Sequence, residues 1–300
     1  MGMAYFLQQF LNAVPIATLY AALAFGYAIA FSITKRADIT YGAIFAFAGL
    51  TCLLFADFGW NQLWLILPAT LALGAAAGIF GGLWAGVFIG RAVMRPLASA
   101  SPNAVTVAAI GALIALMESA RLAANTRSLW LPPFLHDPIY VWRSADFIVT
   151  TTPMQLINSA VFLMMVAGGY MVLQKSNAGR YWKAVSEDAS AASLLGINAG
   201  RVFLVSYCAA ALFASICGVL ATFYYGNMDF GAGLVFGLKV VLISAAGGYT
   251  SPLKCAAGAA AIGFAETFWA AYGPVAWRDA AVLALLVLWL IITRSEREAP

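Results

Sequence analysis

Apolar and polar positions alternate along this chain in long blocks. Apolar runs fall at about 12–33, 39–57, 62–90, 103–122, 154–174, 202–224, 231–246, 254–272 and 275–293. A helix of about 20 apolar residues crosses a hydrocarbon core of about 30 Å. The pattern therefore predicts an all-α, polytopic membrane helix bundle of about 8–9 transmembrane helices, a single domain over residues 1–300. The run at 231–246 is short and weakened by Gly231, Gly233 and Gly237, and is taken as a crossing. The run at 62–90 has 29 residues; at about 1.5 Å per residue it outreaches the core and has to tilt or break. Within it Gly74, Gly78, Gly82, Gly86 and Gly90 recur every four residues. Such a stripe lets another helix approach closely, which points to packing.

Two polar intervals stand out. The first, about 175–201, contains Gly179 to Arg201. Val185, Ala189, Ala192 and Leu195 recur there at spacings of four, three and three, which predicts one or two short helices over Ala178–Leu195, with Gly196 as the C-terminal glycine. An amphipathic segment between two spans either receives force from a soluble partner or lies as a connecting loop at the interface. The second interval, about 123–153, holds Pro132, Pro133, His136, Asp137, Pro138, Trp142 and Arg143. It reads as a docking surface or as an inert cover, and one histidine is no metal site.

Composition agrees with the blocks: 63% of residues are hydrophobic and 9% charged, against roughly 25% charged in soluble domains. The net charge of +4 needs no nucleic acid, because cytoplasmic loops collect Lys and Arg. With nine crossings Lys35, Arg36, Arg91, Arg95, Lys175, Arg180, Lys183, Arg201, Lys254, Arg294 and Arg297 share one side, and Arg127, Arg143 and Arg278 the other. That bias places the 175–201 loop in the cytoplasm, the N-terminus outside and the C-terminus inside. The N-terminus lacks a signal-peptide pattern, so the first run is expected to stay as a span. Cys52, Cys208, Cys217 and Cys255 have no CxxC spacing and read as small buried hydrophobes.

Charges within apolar runs are costly and point to function or pairing. Glu118 and Arg121 are three apart on one helix and can pair; Lys239 and Glu266 sit on consecutive runs and can pair across the bundle. Thr40, Tyr41, Gly42, Asn103, Thr106, Glu118 and Lys239 are candidates for a solute path, beside Asn158 and Ser159. No GxxxxGK[ST], HExxH, GxSxG or CxxC occurs, so the sequence offers no nucleotide-hydrolysis motif and little for an enzyme to use.

Four motifs carry a resemblance. They are Ala37-Asp38-Ile39-Thr40-Tyr41-Gly42, Arg95-Pro96-Leu97 with Ser101-Pro102, Ala184-Val185-Ser186-Glu187-Asp188 continued by Ala191-Ala192, Leu195-Gly196-Ile197-Asn198 and Arg201-Val202, and Gly237-Leu238-Lys239 followed by Gly247-Gly248, Ser251, Gly258, Gly263 and Glu266. Through most of its length the chain resembles the permease subunits of branched-chain amino-acid (LIV-type) ABC importers. The resemblance implies a bacterial inner-membrane permease that works with a second, homologous permease chain, two cytoplasmic ATPases and an extracytoplasmic solute-binding protein. ATP is then used by the partners, and no cofactor or metal is bound by this chain. It also implies that Ala184, Glu187, Asp188, Ala189, Ala192 and Gly196 belong to the element that couples to the ATPase. A neutral or zwitterionic small solute fits. The other reading of the residues is a self-contained ion-coupled secondary transporter or channel using Glu118, Lys239 and Glu266.

Overall fold

The computed structural model describes residues 2–97, 101–143, 147–245 and 247–293. Each of the nine apolar runs becomes a helix: α1 (Met3–Thr34), α2 (Thr40–Asn61), α3 (Leu67–Ile89), α4 (Pro102–Ala123), α5 (Pro153–Lys175), α8 (Ala199–Tyr225), α9 (Ala232–Ala245), α10 (Pro252–Tyr272) and α11 (Arg278–Thr293). The polar interval supplies two short ones, α6 (Asn177–Glu187) and α7 (Ala189–Leu194). Six of these, α1 to α5 and α8, are long and apolar enough to cross a membrane by themselves. The protein is a polytopic helix bundle.

α1 is the spine, with nearly every residue from Ala13 to Ala30 buried. α10 lies antiparallel along it, joined by the ring pairs Phe6–Phe268 and Phe10–Phe264 at centroid distances of 5.4 and 5.3 Å, and Gly263 lets the two backbones meet beside Ala17. Hydropathy understates α10 because it consists largely of alanine and glycine and carries Glu266. The glycine stripe of α3 closes on α2 and α8. A Cβ at Gly74 would lie 2.7 Å from the Cys52 carbonyl oxygen, and one at Gly86 would lie 2.2 Å from the Ala211 Cβ. The expected break in the long third run also occurs: a π-helical turn at Gly90–Met94, in which the Arg95 N–H donates to the Gly90 oxygen at 2.9 Å, ends α3. Cys52, Cys217 and Cys255 are buried and Cys208 half-buried, all four as free thiols.

Hydrogen bonds define the two ends of the bundle. At one, Trp182 Nε1 donates to the Ile29 oxygen at 3.0 Å and Ser32 Oγ to the Thr250 oxygen at 3.1 Å. At the other, Tyr5 donates to the Ala271 oxygen at 3.2 Å, and Gln8 bonds the Thr150 backbone in both directions at 2.9 and 2.8 Å. This second end also carries the one departure from an all-α reading among the described residues. Within the 123–153 interval, β1 (Ile139–Arg143) pairs antiparallel with β2 (Ile148–Thr151) through a bulge between Tyr140 and Trp142. Strict alternation is too short there to have announced a strand pair. His136 is exposed, with Nδ1 2.7 Å from the Phe134 oxygen.

Around the short run at 231–246 the chain traverses the bundle in two parts. α8 ends at Gly226, whose φ of +74° turns the chain and whose oxygen accepts from the Leu131 N–H at 2.8 Å, at the hairpin end. The chain then descends without helix: Met228 already packs beside Gly49, and Gly233 beside Ala43 and Ala46. Only there does α9 begin. Its 14 residues cover about 21 Å, less than a hydrocarbon core, and deliver the chain to the opposite end at Thr250. The glycines that weaken the run in sequence are what permits this path: at Gly42 a Cβ would lie 2.1 Å from the Gly237 nitrogen.

Candidate coupling surface and solute path

Each joint of the α6–α7 segment is fixed by a cap, three through side chains and one through the backbone at Gly196. Ser176 Oγ accepts from the Gly179 N–H at 3.1 Å and opens α6. Asp188 ends α6 and begins α7, its Oδ1 accepting from the N–H groups of Ser190 and Ala191 at 2.8 and 3.0 Å. Gly196, at φ +83°, closes α7 in the left-handed cap that its position predicts: its N–H reaches the Ser193 oxygen at 3.0 Å and the Ile197 N–H reaches the Ala192 oxygen at 3.1 Å. Asn198 Oδ1 then accepts from the Arg201 N–H at 2.9 Å and starts α8. Four caps in a row make a stiff lever rather than a loose loop.

The face this lever presents differs from the one its periodicity predicts. Asp188, at φ −150° and ψ 106°, breaks the helix, so the spacing of 3.6 does not carry through. Val185 and Ala192 turn inward, Ala192 being only 2% exposed, and Ala184 is half-buried. Within this chain Ala192 is a packing residue. Glu187, Asp188, Ala189 and Gly196 remain outside. They are joined by two residues the sequence reading did not single out as contacts, Leu194 and Leu195, which are 89% and 81% exposed at the tip of α7. A Leu-Leu pair just before a capping glycine in a polar interval was the available signal.

The candidate path residues fall into three groups. Asn103, Thr106 and Glu118 lie on the exposed side of α4, where Glu118 pairs with Arg121 at 2.6 Å. Lys239 reaches from α9 to Glu266 on α10 at 2.7 Å, with side chains 21% and 8% exposed. Glu266 also accepts from the Tyr20 hydroxyl at 2.9 Å and lies 3.7 Å from Arg278 Nε. Thr40, Tyr41 and Gly42 are buried at the start of α2.

Around this third group is a polar knot the sequence did not reveal, because its members are 169 positions apart. Asp38, in the α1–α2 loop, accepts from the Thr40 N–H and hydroxyl at 2.9 and 2.5 Å and from the Tyr207 hydroxyl of α8 at 2.6 Å. Beside it Arg36 Nη1 and the Tyr41 hydroxyl are buried with no hydrogen-bond partner among the described residues. Both border a void of about 10 Å³, about the volume of one water probe. A second cavity of about 120 Å³ lies between Arg36, Asp38, Met94 and Phe203.

Burial pushes the Asp38 carboxyl up, opposed by the hydrogen bonds from Thr40 and Tyr207. With its folded pKa above the unfolded one, its contribution to stability falls as pH rises through the raised value. Asp38→Asn is expected to remove that pH dependence while keeping the Thr40 contacts, with the amide N–H donating to the Tyr207 hydroxyl, which then turns its proton to Thr40 Oγ1. Asp38→Ala, which strands the Thr40 and Tyr207 donors, should cost about 1–3 kcal/mol. Thermal unfolding followed from the ordinary carboxylate range to neutral pH measures both, and identical profiles for wild type and Asp38→Asn would exclude ionisation of Asp38.

Residues 9–292 match the family described as branched-chain amino acid transport system / permease component. Among similar proteins, the high-affinity branched-chain amino acid transport system permease protein LivH of Escherichia coli K12 is 28% identical over 296 residues, covering 96% of this chain and 94% of its own. BraD of Pseudomonas aeruginosa, with the same description, is 26% identical over 293 residues, 96% and 94% of the two chains. The galactofuranose transporter permease protein YtfT of Escherichia coli K12 is 24% identical over 285 residues, 92% and 76%. With a match running from the first turns of α1 to the end of α11, the chain belongs to the branched-chain amino acid transport permease family.

Proposed function

We propose that this chain is the membrane-spanning permease subunit of an ATP-binding-cassette importer that carries a branched-chain amino acid or a related small amino acid or amide. It would work with a second, homologous permease chain, two cytoplasmic ATPases and an extracytoplasmic solute-binding protein. The ATPases use the ATP, and this chain binds no cofactor. The observation that carries the reading is the α6–α7 lever: rigidly capped, tied to α1 through Trp182, and ending in two exposed leucines beyond the apolar body. Apolar side chains held in water at the tip of a stiff element suit insertion into a partner's groove.

Sidedness follows from charge. Lys35, Arg36, Arg91, Arg95, Lys175, Arg180, Lys183, Arg201 and Lys254 lie toward the α6–α7 end and Arg127, Arg143 and Arg278 toward the hairpin end. The bias supports an inner-membrane chain with α6–α7 in the cytoplasm, the N-terminus outside and the C-terminus inside. The solute path is assigned to the junction of two permease chains. Asn103, Thr106, Glu118 and Arg121 on an outward face of α4 would be costly against lipid, so a second chain covers them, and Lys239 stands behind at α9. An ion-coupled transporter has less support, since Glu118 and Glu266 are each already held by a cation.

A photoreactive residue in place of Ala189 tests this in native membranes. Capture of a P-loop ATPase is expected. Capture of no ATPase, with ion-driven uptake by the purified chain alone, would move the case to the secondary transporter.

A further inference from the structure

A groove of about 430 Å³ opens sideways between α5 and α8 beneath α6. Met164, Gly168 and Val172 form one wall and Val205 and Leu212 the other, while Tyr181 and Trp182 of α6 roof it. Its lining includes Arg201, and Lys175, Arg180 and Lys183 are exposed on α5 and α6 toward the same end of the bundle. Among the described residues no acidic side chain lines it. The groove owes its depth to an absence: a Cβ at Gly168 would meet nothing within 4 Å, whereas one at the adjacent Gly169 would lie 2.6 Å from the Phe25 ring. One glycine seals α5 to α1 and its neighbour leaves the hollow open.

Length and charge point to the occupant. From Met164 to Leu173 the groove runs about 14 Å, at about 1.5 Å per helical residue, and that length matches one leaflet of a core of about 30 Å. Aromatic side chains at the level of the headgroups and the basic residues toward the α6–α7 end complete the match to an amphiphile with a negative head.

We infer that this groove is a binding site for an anionic phospholipid, with one acyl chain between α5 and α8 and the phosphate paired with Arg201 beside Tyr181 and Trp182. The lipid belongs to the leaflet on the α6–α7 side. It ties α5, α6 and α8 together through the roof of the groove. The inference rests on the bundle standing in a bilayer and is independent of what docks on α7.

The full-length chain, purified with whatever accompanies it, is placed in nanodiscs of phosphatidylcholine with or without phosphatidylglycerol, and retained lipid is counted by native mass spectrometry. Wild type is expected to keep one phosphatidylglycerol in preference to phosphatidylcholine. Arg201→Gln should weaken that preference about five-fold, the equivalent of about 1 kcal/mol for one basic residue near the surface. Gly168→Leu, whose side chain fills the groove without meeting protein, should abolish retention of the bound lipid while the protein stays folded. Equal retention of the two lipids by wild type, or an unchanged preference in both variants, would overturn the assignment. So would a photoreactive residue at Val205 that captures a second permease chain and no lipid.

Discussion

Glu266→Leu is expected to be the most damaging single substitution in the bundle. It takes the carboxylate from the Lys239 ammonium and the Tyr20 hydroxyl, 2.7 and 2.9 Å away, and leaves the ammonium only the face of the Tyr20 ring at 5.0 Å. Removing one member of a buried pair costs about 3–5 kcal/mol. Lys239→Met should cost less, because Glu266 keeps the Tyr20 hydrogen bond and has Arg278 Nε at 3.7 Å. The double variant with Met at 239 and Leu at 266 should recover most of the loss, since an apolar replacement of both partners relieves the desolvation of each. Thermal unfolding in detergent, read by fluorescence-detected size exclusion, gives all three values. A double variant no better than Glu266→Leu alone would mean that the two charges are not energetically coupled. Four elements, α1, α9, α10 and the start of α11, meet at this carboxylate, so it anchors a helix too short to cross by itself.

The second large effect concerns function and should leave the fold untouched. Replacing Leu194 and Leu195 together by aspartate alters side chains that are 89% and 81% exposed and make no core contact. The caps at Asp188 and Gly196 use backbone and carboxylate groups that the change spares. Membrane insertion and thermal stability are therefore expected to match wild type. Uptake should fall at least about ten-fold, because apolar anchors at the centre of an interface each contribute about 2 kcal/mol or more. Normal uptake by the double variant would remove the tip of α7 from the docking surface, and loss of folding would show that the leucines pack where the structure has them exposed.

Both effects act through contacts that composition alone hides. For Lys239 and Glu266 the sequence marks two isolated charges in apolar runs; such charges must find each other or an equivalent partner, so their pairing was legible. The α7 leucines were not, because the single residue Asp188 resets the helical phase and moves Ala192 inward and Leu195 outward. A periodicity argument has no means of detecting a break that leaves the apolar spacing unchanged.

The same contrast holds across the molecule. The helix bundle, the nine runs, the two polar intervals, the glycine stripe and its close approach, the capping glycine at 196 and the family were all legible in the order of residues. Each of these is a local or compositional property: length against a hydrocarbon core, a residue without a side chain at a fixed spacing, a left-handed cap. Tertiary structure alone decided that α9 begins part-way down beside Gly42 and Ala43, that Asp38 is held by Tyr207, that the polar side of α4 faces outward, and that Gly168 leaves a hollow while Gly169 closes one. These depend on which distant segments share a surface, and the apolar positions of a membrane chain do not encode that choice. When lipid and protein are equally apolar, hydrophobicity identifies the spans but cannot say which face meets which neighbour.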